Sequence, residues 1–133
     1  MVKIAGMKAI LCRRHGPPES LSFEEVPDPV PGPGQVLIDV RAAGVNFPDT
    51  LIIQNQYQIK PPLPFSPGGE CAGIIAAIGP DVAHLAVGQR VAAAAPWGCY
   101  AQRVVVAATH VVPIPESMSF DVAAAFTLVY ATS

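Results

Sequence analysis

The sequence predicts a mainly β domain, a partly open barrel with a few short helices. Apolar residues alternate along short runs, most clearly from Gln35 to Val45, where Val36, Ile38 and Val40 are separated by Leu37, Asp39 and Arg41, as a half-buried strand requires. Eleven glycines and 15 prolines stand at the corners between such runs, so the strands are short and the turns tight. With 133 residues, 51% hydrophobic and 14% charged, the chain has material for one core and no charge run to keep it unfolded.

Met1 to Gly6 form an extension ahead of a second methionine, and residues 7–125 form the domain. Met7 to Arg14 is the first strand, broken by the turn chemistry of His15-Gly16-Pro17-Pro18. A short strand from Leu21 to Val26 follows. From Pro27 to Gly34, four prolines fix φ and remove donors while two glycines permit bends, which makes a rigid loop. After the Gln35–Val45 strand, Asn46 is placed to cap a helix running to about Gln54, with Pro48 and Asp49 in a first turn that favours both. Tyr57 to Pro67 is a proline-rich loop. Gly69 to Ile78, apolar and glycine-bearing, reads as a bent strand buried on both faces and stopped by Gly79-Pro80-Asp81. Val87 to Val91 turns into a strand, Tyr100 to Val106 is another, and His110 to Ile114 a third. Only then does the period change: Ser119 caps a helix from Phe120 through Ala125. Residues 126–133 read as the start of a segment leading to a second domain that the sequence does not contain.

A net charge of −2 and a pI near 5.8 give no reason to expect a polyanion or an anionic membrane as partner, so neither nucleic acid nor membrane is expected. Cys12, Cys71 and Cys99 form no CxxC pair, and an odd number cannot all be paired within the chain. They read as small buried hydrophobes in a reduced, cytoplasmic protein. The N-terminus lacks a signal-peptide core, and the apolar run Ile74–Ile78 is far too short to span a bilayer.

Several stretches together resemble a known family. They are Met7-Lys8-Ala9, the loop and strand from Pro29 to Val36, Gly44-Val45-Asn46-Phe47-Pro48-Asp49, Pro67-Gly68-Gly69-Glu70-Cys71-Ala72-Gly73, Val87-Gly88-Gln89-Arg90-Val91 and Gly98-Cys99-Tyr100-Ala101. In this order and spacing they are similar to the N-terminal, GroES-like domain of the medium-chain dehydrogenase/reductase superfamily, in its quinone oxidoreductase and zeta-crystallin branch. The resemblance runs from Met7 to the last residue and implies a GroES-like barrel that precedes a Rossmann domain. Zinc-dependent relatives carry a cysteine after the Gly-Val pair and a histidine before the glutamate of Gly-His-Glu. Asn46 and Gly69 stand there instead, and neither is a normal zinc ligand. The four-cysteine lobe of those relatives is replaced by the direct run from Ala92 to Trp97, and His15, His84 and His110 read as solvated surface residues. No zinc is expected.

Without a Lewis acid, alcohol–ketone interconversion loses its main electrostatic support, and a quinone or conjugated enone becomes the better hydride acceptor. The resemblance puts Asn46 and Thr132 on the nicotinamide side of NADPH, and Phe47 and Tyr57 in the substrate pocket. It assigns no certain catalytic residue. Helix capping also accounts for Asn46, first-turn stabilisation for Asp49, core packing for Phe47, and a surface loop for Tyr57. No GxGxxG occurs. The glycines from Gly68 to Gly73 are better explained by strand bending than by a dinucleotide turn. The expectation is therefore an NADPH-dependent quinone reductase, a homodimer when complete, whose isolated GroES-like domain is inactive. The alternatives are an enoyl-thioester or enone reductase on the same fold and a non-catalytic chaperonin-10-like binding module.

Overall fold

The computed structural model describes residues 6–45, 47–58 and 60–125, with Phe47 and Pro48 described as backbone only. Seven strands carry the fold: β1 Gly6–Leu11, β2 Ser22–Pro27, β3 Gln35–Ala43, β4 Glu70–Ile78, β5 Arg90–Ala94, β6 Arg103–Ala107 and β7 Val111–Pro113. Helix α1 spans Phe47–Ile53, and residues 120–125 form a second helix, α2.

Five strands make one antiparallel sheet in the order β6-β3-β4-β5-β7, while β1 and β2 pair antiparallel as a two-stranded sheet. The two sheets are stitched just before β6, where the Ile10 amide donates to the Tyr100 carbonyl at 2.8 Å and the Gln102 amide to that of Lys8 at 2.9 Å. This is the open, strand-rich barrel that the alternation predicts. Val36 and Ile38 on β3 are fully buried and join Ile75, Val91, Val104 and Val106 in the main core. A second cluster beneath α1 gathers Cys12, Ile52, Ile53 and Phe65. In a third, Ala72 and Ala92 meet Ala123 and Ala124, small side chains that let α2 lie close on the sheet. All three cysteines are free and buried, as expected, and His15, His84 and His110 are exposed.

Element boundaries move where long-range pairing outcompetes local pattern. The first strand ends at Leu11 instead of Arg14, because Cys12 leaves β2 to form a bridge with Phe65. The strand expected from Tyr100 begins at Arg103, because residues 100–102 bond to β1 instead. β4 is buried on both faces only over its first four residues, and its end, Ile78, is exposed. Ser119 acts as predicted: its Oγ accepts the Val122 amide at 3.2 Å. Among the described residues no helix is long and apolar enough to cross a membrane.

Candidate functional site

A cleft of about 340 Å³ opens where β3, β4 and α2 converge, lined by the Ala42–Val45 segment, by Glu70 and by Asp121, Ala124 and Ala125. Most of these residues are small. β3 ends there because the chain turns at Gly44, whose amide donates to the Glu70 carbonyl at 3.1 Å. A β-carbon on Gly44 would stand 2.1 Å from Glu70 Oε1, so the carboxylate lies directly over this residue and would have to move to admit a side chain there.

Glu70 and Asp49 are the two buried charged residues among those described, at 2% and 5% exposure. Buried carboxylates need polar partners, and neither is without one. Tyr100 supplies one: its hydroxyl donates to Asp49 Oδ2 at 2.8 Å and lies 3.3 Å from the Gly44 carbonyl oxygen. The tyrosine is itself held by its amide, which donates to the Pro67 carbonyl at 2.9 Å. Its ring covers Gly68, where a β-carbon would come within 2.6 Å of it.

Burial, and then the hydrogen bond to Asp49, push the Tyr100 phenol well above its usual range, so it remains a proton donor. Contact with Cys71, burial and the neighbouring carboxylates raise the Cys99 thiol well above its ordinary value. Neither effect makes a nucleophile. Burial likewise raises Cys12. Among the described residues no group of three or more histidine, cysteine, aspartate and glutamate side chains could hold a metal ion.

The structure brings only part of the predicted site together. Asn46 and Thr132 lie outside the described residues, as does the Phe47 side chain, although Phe47 opens α1. Tyr57 is partly buried against the Cys12, Ile52, Ile53 and Phe65 cluster and is not among the residues that line the cleft. Asp49 does stand in the first turn of α1, yet its burial and its bond from Tyr100 give it a second role that helix stabilisation does not require. Glu70 and Tyr100 were visible only as members of the Pro67–Gly73 and Gly98–Ala101 stretches that carry the resemblance, and nothing local marks either as part of a site.

The family described as "Alcohol dehydrogenase GroES-like domain" matches residues 32–116. Quinone oxidoreductase of Mus musculus is 39% identical over 129 residues, covering 96% of this chain and 39% of that protein. The synaptic vesicle membrane protein VAT-1 homolog of Rattus norvegicus is 41% identical over 105 residues, covering 79% of this chain and 26% of its own length. Among solved structures, a quinone oxidoreductase from Pseudomonas syringae pv. Tomato superposes with a TM-score of 0.89 at 35% identity, over 95% of this chain and 39% of that one. A mycobacterial protein solved in complex with NADPH gives 0.82 at 37% identity, over 89% and 35%. The chain thus spans between a quarter and two-fifths of the length of these relatives. Domain match, sequence and superposition agree, and the chain belongs to the alcohol dehydrogenase GroES-like domain family, with quinone oxidoreductases and VAT-1 homologues of the medium-chain dehydrogenase/reductase superfamily as its relatives.

Proposed function

We propose that this chain is the substrate-side domain of an NADPH-dependent quinone oxidoreductase that delivers hydride to a quinone or conjugated enone without zinc. The observation that carries the reading is the 39% identity to a quinone oxidoreductase over 129 residues of this chain. The cleft agrees with it. A volume of about 340 Å³ suits a nicotinamide or quinone ring and is too small for a whole dinucleotide. A chain with no GxGxxG turn offers no such place for the pyrophosphate, so it fits the reacting end of the cofactor alone. Asn46 and Gly69, at the positions where zinc-dependent relatives carry ligands, support metal-free chemistry.

When bound, NADPH supplies the hydride, and a proton from solvent completes reduction of the acceptor. This chain's part is to orient and to exclude water. Asn46 and Thr132 hold the nicotinamide end and Phe47 packs on the acceptor ring, while Tyr57, seated in the second core cluster, supports α1 from outside the cleft. The Ala42–Val45 wall covers one side of the reacting carbons.

The test is quinone-dependent NADPH oxidation by the full-length protein, set beside an enone and an enoyl thioester. Quinone is expected to be turned over fastest. Asn46→Ala is expected to lower turnover by roughly fivefold or more, the worth of one hydrogen bond, with little change in melting temperature. Faster turnover of the thioester would move the assignment to an enoyl reductase, and no turnover of any acceptor would overturn it.

A further inference from the structure

We infer that Tyr100 is a positioning residue for the cleft: through its hydroxyl it ties Gly44, in the cleft wall, to Asp49 in the first turn of α1, and so fixes the wall that the cofactor and acceptor would meet. The inference rests on the function proposed above and adds a residue to it.

Gly44 is clamped from two sides. From below, the Glu70 carboxylate occupies the space where a Gly44 side chain would be, and the Glu70 carbonyl accepts the Gly44 amide. From the side, the single Tyr100 hydroxyl donates chiefly to Asp49 Oδ2 at 2.8 Å, in the first turn of α1, and also faces the Gly44 carbonyl oxygen at 3.3 Å. Gly44 is the last residue of the cleft wall but one, and Asp49 is buried behind it. The tyrosine is well placed to act as a fixed post. Its amide bonds Pro67, and its ring is seated on Gly68 so closely that no side chain fits between them. The neighbouring Ile10 amide bonds its carbonyl, which ties the post to β1. A hydrogen bond to a buried carboxylate is among the stronger ones in a protein. A 1 Å displacement of a positioning group is enough to slow hydride transfer by orders of magnitude.

Tyr100→Phe isolates the effect, since it keeps the ring on Gly68 and removes only the donor. In the full-length protein the variant is expected to fold, to show roughly tenfold faster amide exchange at Gly44 and Asp49, and to lose at least fivefold in kcat for quinone with KM for quinone unchanged within twofold. Exchange and kcat both within twofold of wild type would overturn the inference. So would a variant that no longer folds, because the hydroxyl would then be structural throughout the domain and not specific to the wall. If the wild-type protein oxidises no NADPH, the functional reading fails on its own. The exchange measurement still decides whether Tyr100 holds the wall.

Discussion

The α-carbon of Gly73 on β4 faces the carbonyl oxygen of Asp39 on β3 so closely that a β-carbon there would stand 1.9 Å from it. Neither atom is the end of a flexible side chain, so the two central strands would have to part. Gly73→Ala is therefore expected to destabilise the fold by about 3 kcal/mol, read as a lower urea midpoint with unchanged slope. A loss under roughly 0.5 kcal/mol would show that the register irregularity at Val40/Ala42 absorbs the clash.

Arg13 grips Glu24 with two hydrogen bonds of 2.5 Å, and Ser22 adds a third. These contacts, the arginine first, lower the Glu24 carboxyl from an ordinary 4.5 to about 2. A carboxylate whose folded pKa is depressed stabilises the native state fully above its unfolded value and loses that contribution as pH falls through the folded one. Wild type should thus melt above Glu24→Gln at pH 6, and the gap should close between about pH 4.5 and pH 2. The pair is exposed, so added salt should narrow the gap as well. A gap independent of pH would remove the ion pair as its cause.

Arg90 pins the approach to α2. Its guanidinium donates to the carbonyls of Pro115 and Met118, each at 2.8 Å, and lies 4.3 Å from the centroid of the Phe120 ring. Arg90→Lys keeps the charge and loses the fork, with an expected cost of about 1–2 kcal/mol. Amide exchange over residues 115–125 should rise more than in β3 and β4. Uniform loosening of all segments would mean that Arg90 acts on the whole domain instead.

Zinc offered to the full-length protein should wash away. After dialysis and gel filtration, elemental analysis is expected to find less than about 0.1 equivalent, since a tight site needs at least three suitable ligands. Activity should survive chelators unchanged. One equivalent of retained zinc would contradict the metal-free reading.

Much of this fold was legible along the chain because its cause is local. β3 declared itself by alternation, and Val36 and Ile38 are indeed buried on one face. Ser119 declared itself by chemistry, and its hydroxyl does accept an amide in the first turn of α2. The site was less legible because its geometry is made by contacts between distant segments. Asp49 and Tyr100 are 51 residues apart, and no periodicity connects them. Tyr100 reads as the start of a strand until β1 is seen to claim residues 100–102. The glycines of the Gly68–Gly73 stretch read as bending points. Gly68 is in fact required by the Tyr100 ring, with φ at +103°, and Gly73 by the backbone of β3. A glycine in sequence announces that something comes near without saying what.

The place of β3 in its sheet bears on how the chain is made. Its pairing with β6, from Gln35↔Ala107 to Asp39↔Arg103, joins two strands that leave the ribosome far apart in time. At common rates of synthesis, roughly 3–13 s pass between the appearance of Ala43 and that of Ala107. For that interval the nascent chain carries Val36 and Ile38 on a strand with an open edge, the kind of surface that chaperones bind and that neighbouring chains can pair with. Conditions that slow translation after Ala43 should therefore lower the yield of native protein, whatever its final stability.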